Sequence, residues 1–128
     1  MRDSNLVHTS GINGQTDVFG IIGYPLAHSA SPGMHRLAYR EHGLNAVYVP
    51  FPVVDKQSIQ AALSGMRALS IKGINVTVPY KEAVLPFLDC VDSVASEMGA
   101  VNTIVNKNGF LTGYNTDGDG FVLSLKEE

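Results

Sequence analysis

Little in this 128-residue chain carries positive charge: nine Lys and Arg stand against twelve Asp and Glu, a formal net charge of -3. Nothing is left over to neutralise a phosphate backbone, so the electrostatic footprint of a nucleic-acid binder is missing. Cysteine is scarcer still. Cys90 is the sole one, which excludes an internal disulfide and a multi-thiolate zinc site and points to a reducing compartment and an inertly packed thiol. Long apolar runs are absent as well. Met1 to Thr16 lacks the basic start and apolar stretch of a signal peptide, and no segment approaches the length needed to span a bilayer. The expectation is a cytoplasmic protein with no membrane or nucleic-acid partner and a frayed start over residues 1–16. Internal repeats and low-complexity segments are missing too.

What the chain does have is a globular balance of 45% apolar and 16% charged residues, in a length that suits one domain with a real core. Val18 to Ile22 is short, apolar and glycine-bounded, like a strand buried on both faces. A loop rich in hydroxyls follows, "GYPLAHSASPGMH", and Ser31-Pro32 reads as an N-cap and first helical residue of a helix that stops at Gly43. Ala46 to Phe51 reads as a second strand. Asp55 caps a second helix with Ile59, Ala62, Leu63, Met66 and Leu69 on one face. Ile74, Val76 and Val78 alternate with Asn75 and Thr77 in a third strand, after which Pro79 opens a helix with Lys81 in its first turn. A short helix with Val94, Ala95 and Met98 ends at Gly99, and Val101 to Val105 and Phe110 to Tyr114 flank "NKNG" as a hairpin. Phe121, Val122 and Leu125 start a last amphipathic helix.

This alternation predicts an α/β fold of three layers, a mainly parallel sheet with helices on both faces and the hairpin at one edge. That edge is open to pairing in a homodimer. Ligands in such sheets collect outside the carboxyl ends of the strands. The rule collects Ser29 and Ser31 after the first strand, Asn75, Thr77 and Lys81 at the end of the third, and Asn102 and Asp117 around the hairpin.

Several motifs fail on inspection. No phosphate-binding Gly-x-x-x-x-Gly-Lys occurs, and Gly118-Asp119-Gly120 lacks the third glycine and preceding strand of a dinucleotide fingerprint. "NTDGDG" starts like a calcium loop, but its twelfth position is Lys126, where a bidentate carboxylate belongs. His28, His35 and His42 have neither the spacing nor the neighbours of a metal site, so no metal is expected. Asn75-Val76-Thr77 fits a glycosylation sequon inside an expected buried strand, an accidental match. Ser29 has no nucleophile elbow around it and suits ligand hydrogen bonding, whereas cap chemistry is enough to explain Ser31. A lysine in a helix's first turn faces the positive end of the macrodipole, so Lys81 needs an acidic neighbour. Asp117 fills that place if it crosses the crevice, and the pair then passes a proton to or from an alcohol or ketone; as a helix cap it has a different explanation.

Taken in order, "GYPLAHSASPGMH", "GINVTVPYKE", "GAVNTIV" and "GYNTDGDGF" resemble the amino-terminal substrate domain of the shikimate dehydrogenase family, over Asp17 to about Leu125. The resemblance implies reversible reduction of 3-dehydroshikimate to shikimate with NADPH, in the route to aromatic amino acids. It gives Ser29 and Ser31 the substrate carboxylate, and Thr77, Asn102 and Asp117 the ring hydroxyls with Asn75 assisting. It makes Lys81, partnered by Asp117, the proton donor and acceptor. It implies residues 17–117 as the substrate domain, residues 118–128 as the start of a linking helix, and an NADP-binding domain that is not in this chain. The expectation is therefore that the chain alone binds shikimate without turning it over. Two rival readings share these residues: an NAD-dependent quinate/shikimate dehydrogenase, and a non-catalytic module for a hydroxylated cyclic acid.

Overall fold

The computed structural model describes residues 11–117. The first ten residues of the expected frayed start, and the expected linking helix at 118–128, lie outside the described residues. Six strands form one sheet in the order β2-β1-β3-β5-β6-β4. The centre is β1 (Asp17–Gly23), paired in parallel with β2 (Ala46–Pro52) on one side and β3 (Gly73–Val76) on the other. β5 (Thr103–Lys107) runs antiparallel to both β3 and β6 (Phe110–Tyr114), and the two-residue β4 (Cys90–Val91) lies parallel to β6. Only β5 opposes the rest.

Side chains alternate across β1, so each face needs its own cover. Ile21 joins Leu26 and Tyr48, with Phe19 and Tyr39 packed against them, under α1 (Ser31–Glu41). Ile22 belongs to the opposite cluster, with Ile74, Val76, Ile104 and Leu111, under α2 (Ile59–Ala68) and α3 (Ser93–Met98). Ile59, Leu63 and Met66 form the buried stripe of α2, each stabilising the fold by roughly 1.5–3 kcal/mol. The expected three layers are present.

Four local expectations differ from the structure. The hairpin is not an edge: β4 covers its outer strand, and the sheet ends at β2 and β4. Two adjacent residues carry no period for a pattern to detect. At the other end, Pro50 and Pro52 remove backbone donors from β2, which blunts it against pairing. The N-cap of α1 is Ala30, with Ser31 the first helical residue. Leu69 lies past the end of α2 and is exposed.

Most consequential, no α-helix follows Pro79. Pro86 has no N–H to bond back to Glu82, so a helix begun at Pro79 would lose its ladder within two turns. The chain instead makes turns and a 3-10 segment at Leu85–Phe87. Lys81 therefore sits in a turn. The unfavourable macrodipole invoked for it does not exist. The turn of the hairpin, by contrast, follows its sequence: Asn108 and Gly109 take φ of 54° and 90°, the left-handed pair that lets a two-residue loop match the twist of its strands.

Candidate active site

The rim at the carboxyl ends of β1 and β3 also receives the start of β5, which runs the other way, and the end of β6. Ser29, Ser31, Asn75, Thr77, Lys81, Asn102 and Asp117 each lie on a chain segment that enters or leaves this rim. Thr77 follows β3 directly: its N–H donates to Ile22 C=O at 3.0 Å, and its methyl packs over Gly23. A Cβ on Gly23 would collide with that methyl and come within 3.0 Å of Val78 C=O, so only glycine lets the two exits approach.

Beyond Gly23 the chain turns into the serine loop. Ser29 Oγ accepts from Ser31 N–H at 3.3 Å, so the local cap-like bond comes from Ser29 rather than from Ser31. His35 donates from Nδ1 to Ser31 C=O at 2.9 Å, since a carbonyl only accepts; this fixes the imidazole tautomer. Its ring stacks on Tyr48 with centroids 3.9 Å apart and planes within 10°.

Tyr48 joins this loop to β3. Its phenol donates to Asn75 Oδ1 at 2.7 Å. Burial, and next the neighbouring Tyr39 phenol, push the Tyr48 hydroxyl up to about 12, against a smaller pull from a hydrogen bond with the Ser31 side chain. The hydroxyl stays protonated at physiological pH. With its oxygen so engaged, Asn75 turns its amide hydrogens toward Thr103 Oγ1 at 3.2 Å and Asn102 C=O at 3.4 Å. Asn102 is buried; its Nδ2 donates to Thr116 Oγ1 at 3.0 Å, while its Oδ1 accepts from both Thr103 Oγ1 and Thr116 N–H at 3.0 Å. The amides thus have fixed directions.

Asp117 completes the row. Asn115 Oδ1 accepts from Asp117 N–H at 2.9 Å, the bond of a capping residue, and the Asp117 carboxylate lies within reach of Lys81. It accepts from Lys81 Nζ at 3.1 Å. Both side chains are partly open to solvent, 34% for Lys81 and 58% for Asp117, and a pair this exposed adds at most about 1 kcal/mol to stability. Stability does not explain it. What the rim holds is an ammonium paired with a carboxylate, beside side-chain amides and hydroxyls whose directions are fixed by their own hydrogen bonds.

Pattern reading missed Tyr48, His35, Thr103 and Thr116. Tyr48 had one available signal: a phenol in a strand that must find a partner if buried. Thr103 and Thr116 act through bonds to Asn102, which no local pattern encodes. A groove of about 670 Å3 lies along α1 and the edge of β2, lined by Arg36, Arg40, Tyr39 and Leu44 among others. It touches the rim only through Pro32 and Tyr48 and contains neither Lys81 nor Asp117, so volume and chemistry do not coincide here. Among the described residues no group of three His, Cys, Asp or Glu is placed to hold a metal ion, and no helix is long and apolar enough to cross a membrane.

Residues 21–104 match the family model described as the shikimate dehydrogenase substrate binding domain. A shikimate dehydrogenase (NADP(+)) of Carboxydothermus hydrogenoformans is 54% identical over 116 residues, covering 91% of this chain and 41% of the relative. The crystal structure of shikimate dehydrogenase from Aquifex aeolicus superposes with a TM-score of 0.84 at 49% identity, over 91% of this chain and 43% of that one. The Listeria monocytogenes shikimate 5-dehydrogenase, solved in complex with shikimate and NAD, gives 0.85 at 42% identity, over 91% and 40%. The chain spans about two fifths of the length of these proteins.

Proposed function

The chain belongs to the shikimate dehydrogenase substrate-binding family, and from that premise we propose that residues 17–117 are the substrate domain of an NADP-dependent shikimate dehydrogenase. The enzyme interconverts 3-dehydroshikimate and shikimate in the cytoplasm, as a step of aromatic amino acid biosynthesis. The reading rests chiefly on one observation, the Lys81–Asp117 pair at 3.1 Å on the rim that also carries the serines and the directed amides.

In this reading the ring carboxylate lies against the Ser29 and Ser31 hydroxyls, whose O–H groups donate to it. The ring hydroxyls meet Thr77, Asn102 and Asp117, and Asn75 assists by holding Asn102 and Thr103 in place through its amide. A site built from directed donors and acceptors discriminates strongly, because an analogue lacking one hydroxyl leaves a partner unpaired. Lys81 gives its proton to the carbonyl oxygen as negative charge develops there and takes it back in the reverse direction; Asp117 keeps the ammonium aimed.

The cofactor supplies the hydride when bound. Its pyrophosphate needs a glycine-lined turn at a helix N-terminus, and the described residues offer none: the exit of β1 is packed against Thr77, and α1 opens with proline. NADP is held, in this proposal, by another part of the enzyme. Replacement of Lys81 by Ala in the complete gene product tests the assignment. Turnover should fall by about 10²–10⁴ while shikimate still binds within a few-fold of wild type; a variant that keeps its kcat contradicts the role.

A further inference from the structure

Lys81 is held in place without the support of a helix. Around it the turn has few backbone bonds: Tyr80 N–H to Thr77 C=O at 3.1 Å, Val84 N–H to Tyr80 C=O at 3.3 Å, and Val101 N–H to Lys81 C=O at 2.8 Å. Pro79 and Glu82 on either side are exposed. What fixes the segment from below is Tyr80, 3% exposed, whose hydroxyl donates to Val53 C=O at 2.6 Å across 27 residues of sequence. Val53 in turn donates its N–H to Gly23 C=O at 3.1 Å. Gly23 is the last residue of β1 and the root of the serine loop.

These bonds make a belt under the rim. It runs from the exit of β1 through the exit of β2 to the lysine turn, and through Lys81 C=O to Val101, next to Asn102. Every joint named is backbone to backbone except one. Burial of a ring at position 80 would be met by phenylalanine; the hydroxyl adds a directed joint between the serine loop's root and the lysine's own backbone. We infer that Tyr80 is a positioning residue for Lys81: its phenol, through Val53, sets where the ammonium stands relative to Asp117 and the ligand-facing amides. The inference rests on the role proposed for Lys81 but concerns a different atom, and it does not pass through the groups proposed to grip the substrate.

The test compares the chain with its Tyr80→Phe variant, which keeps the ring and removes the joint. By solution NMR, the amide of Val101 should exchange with solvent about fivefold faster in the variant, while Ile104 and Leu111 amides in the core keep their rates. The nuclear Overhauser contact between the Lys81 ε-methylene and the Asp117 β-methylene should weaken, with Asn102 and Thr103 shifts unchanged. Uniform acceleration of all core amides, or an undiminished Lys81–Asp117 contact, would overturn the inference and leave Tyr80 as a core residue. The wild type supplies a check that does not depend on the variant folding: the Tyr80 hydroxyl proton should exchange far more slowly than that of exposed Tyr24, and equal rates would refute the joint. Shikimate titration of both proteins separates this idea from the one beneath it. Absence of binding to either protein would remove the ligand assignment, whereas the exchange and contact data alone decide the positioning.

Discussion

Lys81 is the residue to which the proposed proton transfer is assigned, and its surroundings show why its place was partly readable. Strand ends in a parallel sheet gather at one rim, so the positions of Asn75, Thr77, Asn102 and Asp117 relative to strands predicted their neighbourhood before any distance was known. The macrodipole expected to burden Lys81 is absent, because the helix that would have made its charge costly does not form. Tyr48 was illegible for another reason: its partner Asn75 lies 27 residues away in sequence and in a strand that is not its immediate neighbour in the sheet. Tyr48 also gives a pH prediction. Its pKa rises from 10.0 to about 12 on folding, so the stabilisation of its neutral form is complete below about pH 10 and is lost as pH climbs toward 12. Urea unfolding across that range should show a falling stability that is shallower in Tyr48→Phe; parallel slopes would mean the phenol is not held as described.

At the scale of elements, the exits of β1 and β3 must touch for the serine loop and Thr77 to share a rim. Gly23→Ala forces them apart, since the added methyl meets Thr77 and the Val78 carbonyl. Destabilisation of about 1–3 kcal/mol and loss of shikimate binding are expected together, by thermal melting and titration; a fully stable variant with wild-type affinity would contradict the close approach. A second joint lies at the opposite end of the sheet. Arg67 of α2 donates to Gly109 C=O, Phe87 C=O and Asp89, and Asp89 accepts from Leu111 N–H at 2.7 Å. The Leu111 N–H, then the Arg67 side chain, hold the Asp89 carboxyl below its usual 3.8. Its contribution is present above about pH 4 and lost as pH falls through the lower folded value. Acid unfolding of Asp89→Asn should lack that part of the transition, and an unchanged acid limb would show that the clamp is not felt. The clamp's partners were unreadable in the sequence, because every bond but the Arg67–Asp89 ion pair runs to a backbone group.

Over the whole molecule, alternation of strands and helices was legible because each element repeats its own period, two for strands and 3.6 for helices. The two-residue β4 has no period, and so the hairpin was misplaced at an edge. The architecture puts the Lys81–Asp117 pair and the directed amides on one rim and, among the described residues, offers no cradle for a dinucleotide. The 128-residue chain by itself should therefore bind shikimate without oxidising it when NADP is supplied; steady production of NADPH by the purified chain would contradict this. The most direct test of the central claim is titration of the chain with shikimate while amide and side-chain signals are followed by NMR. Saturable shifts at Ser29, Thr77, Asn102 and Asp117, with the far-side Arg67 and Asn108 silent, are the result this account predicts. Shifts confined to the groove along α1, or none at all, would contradict it.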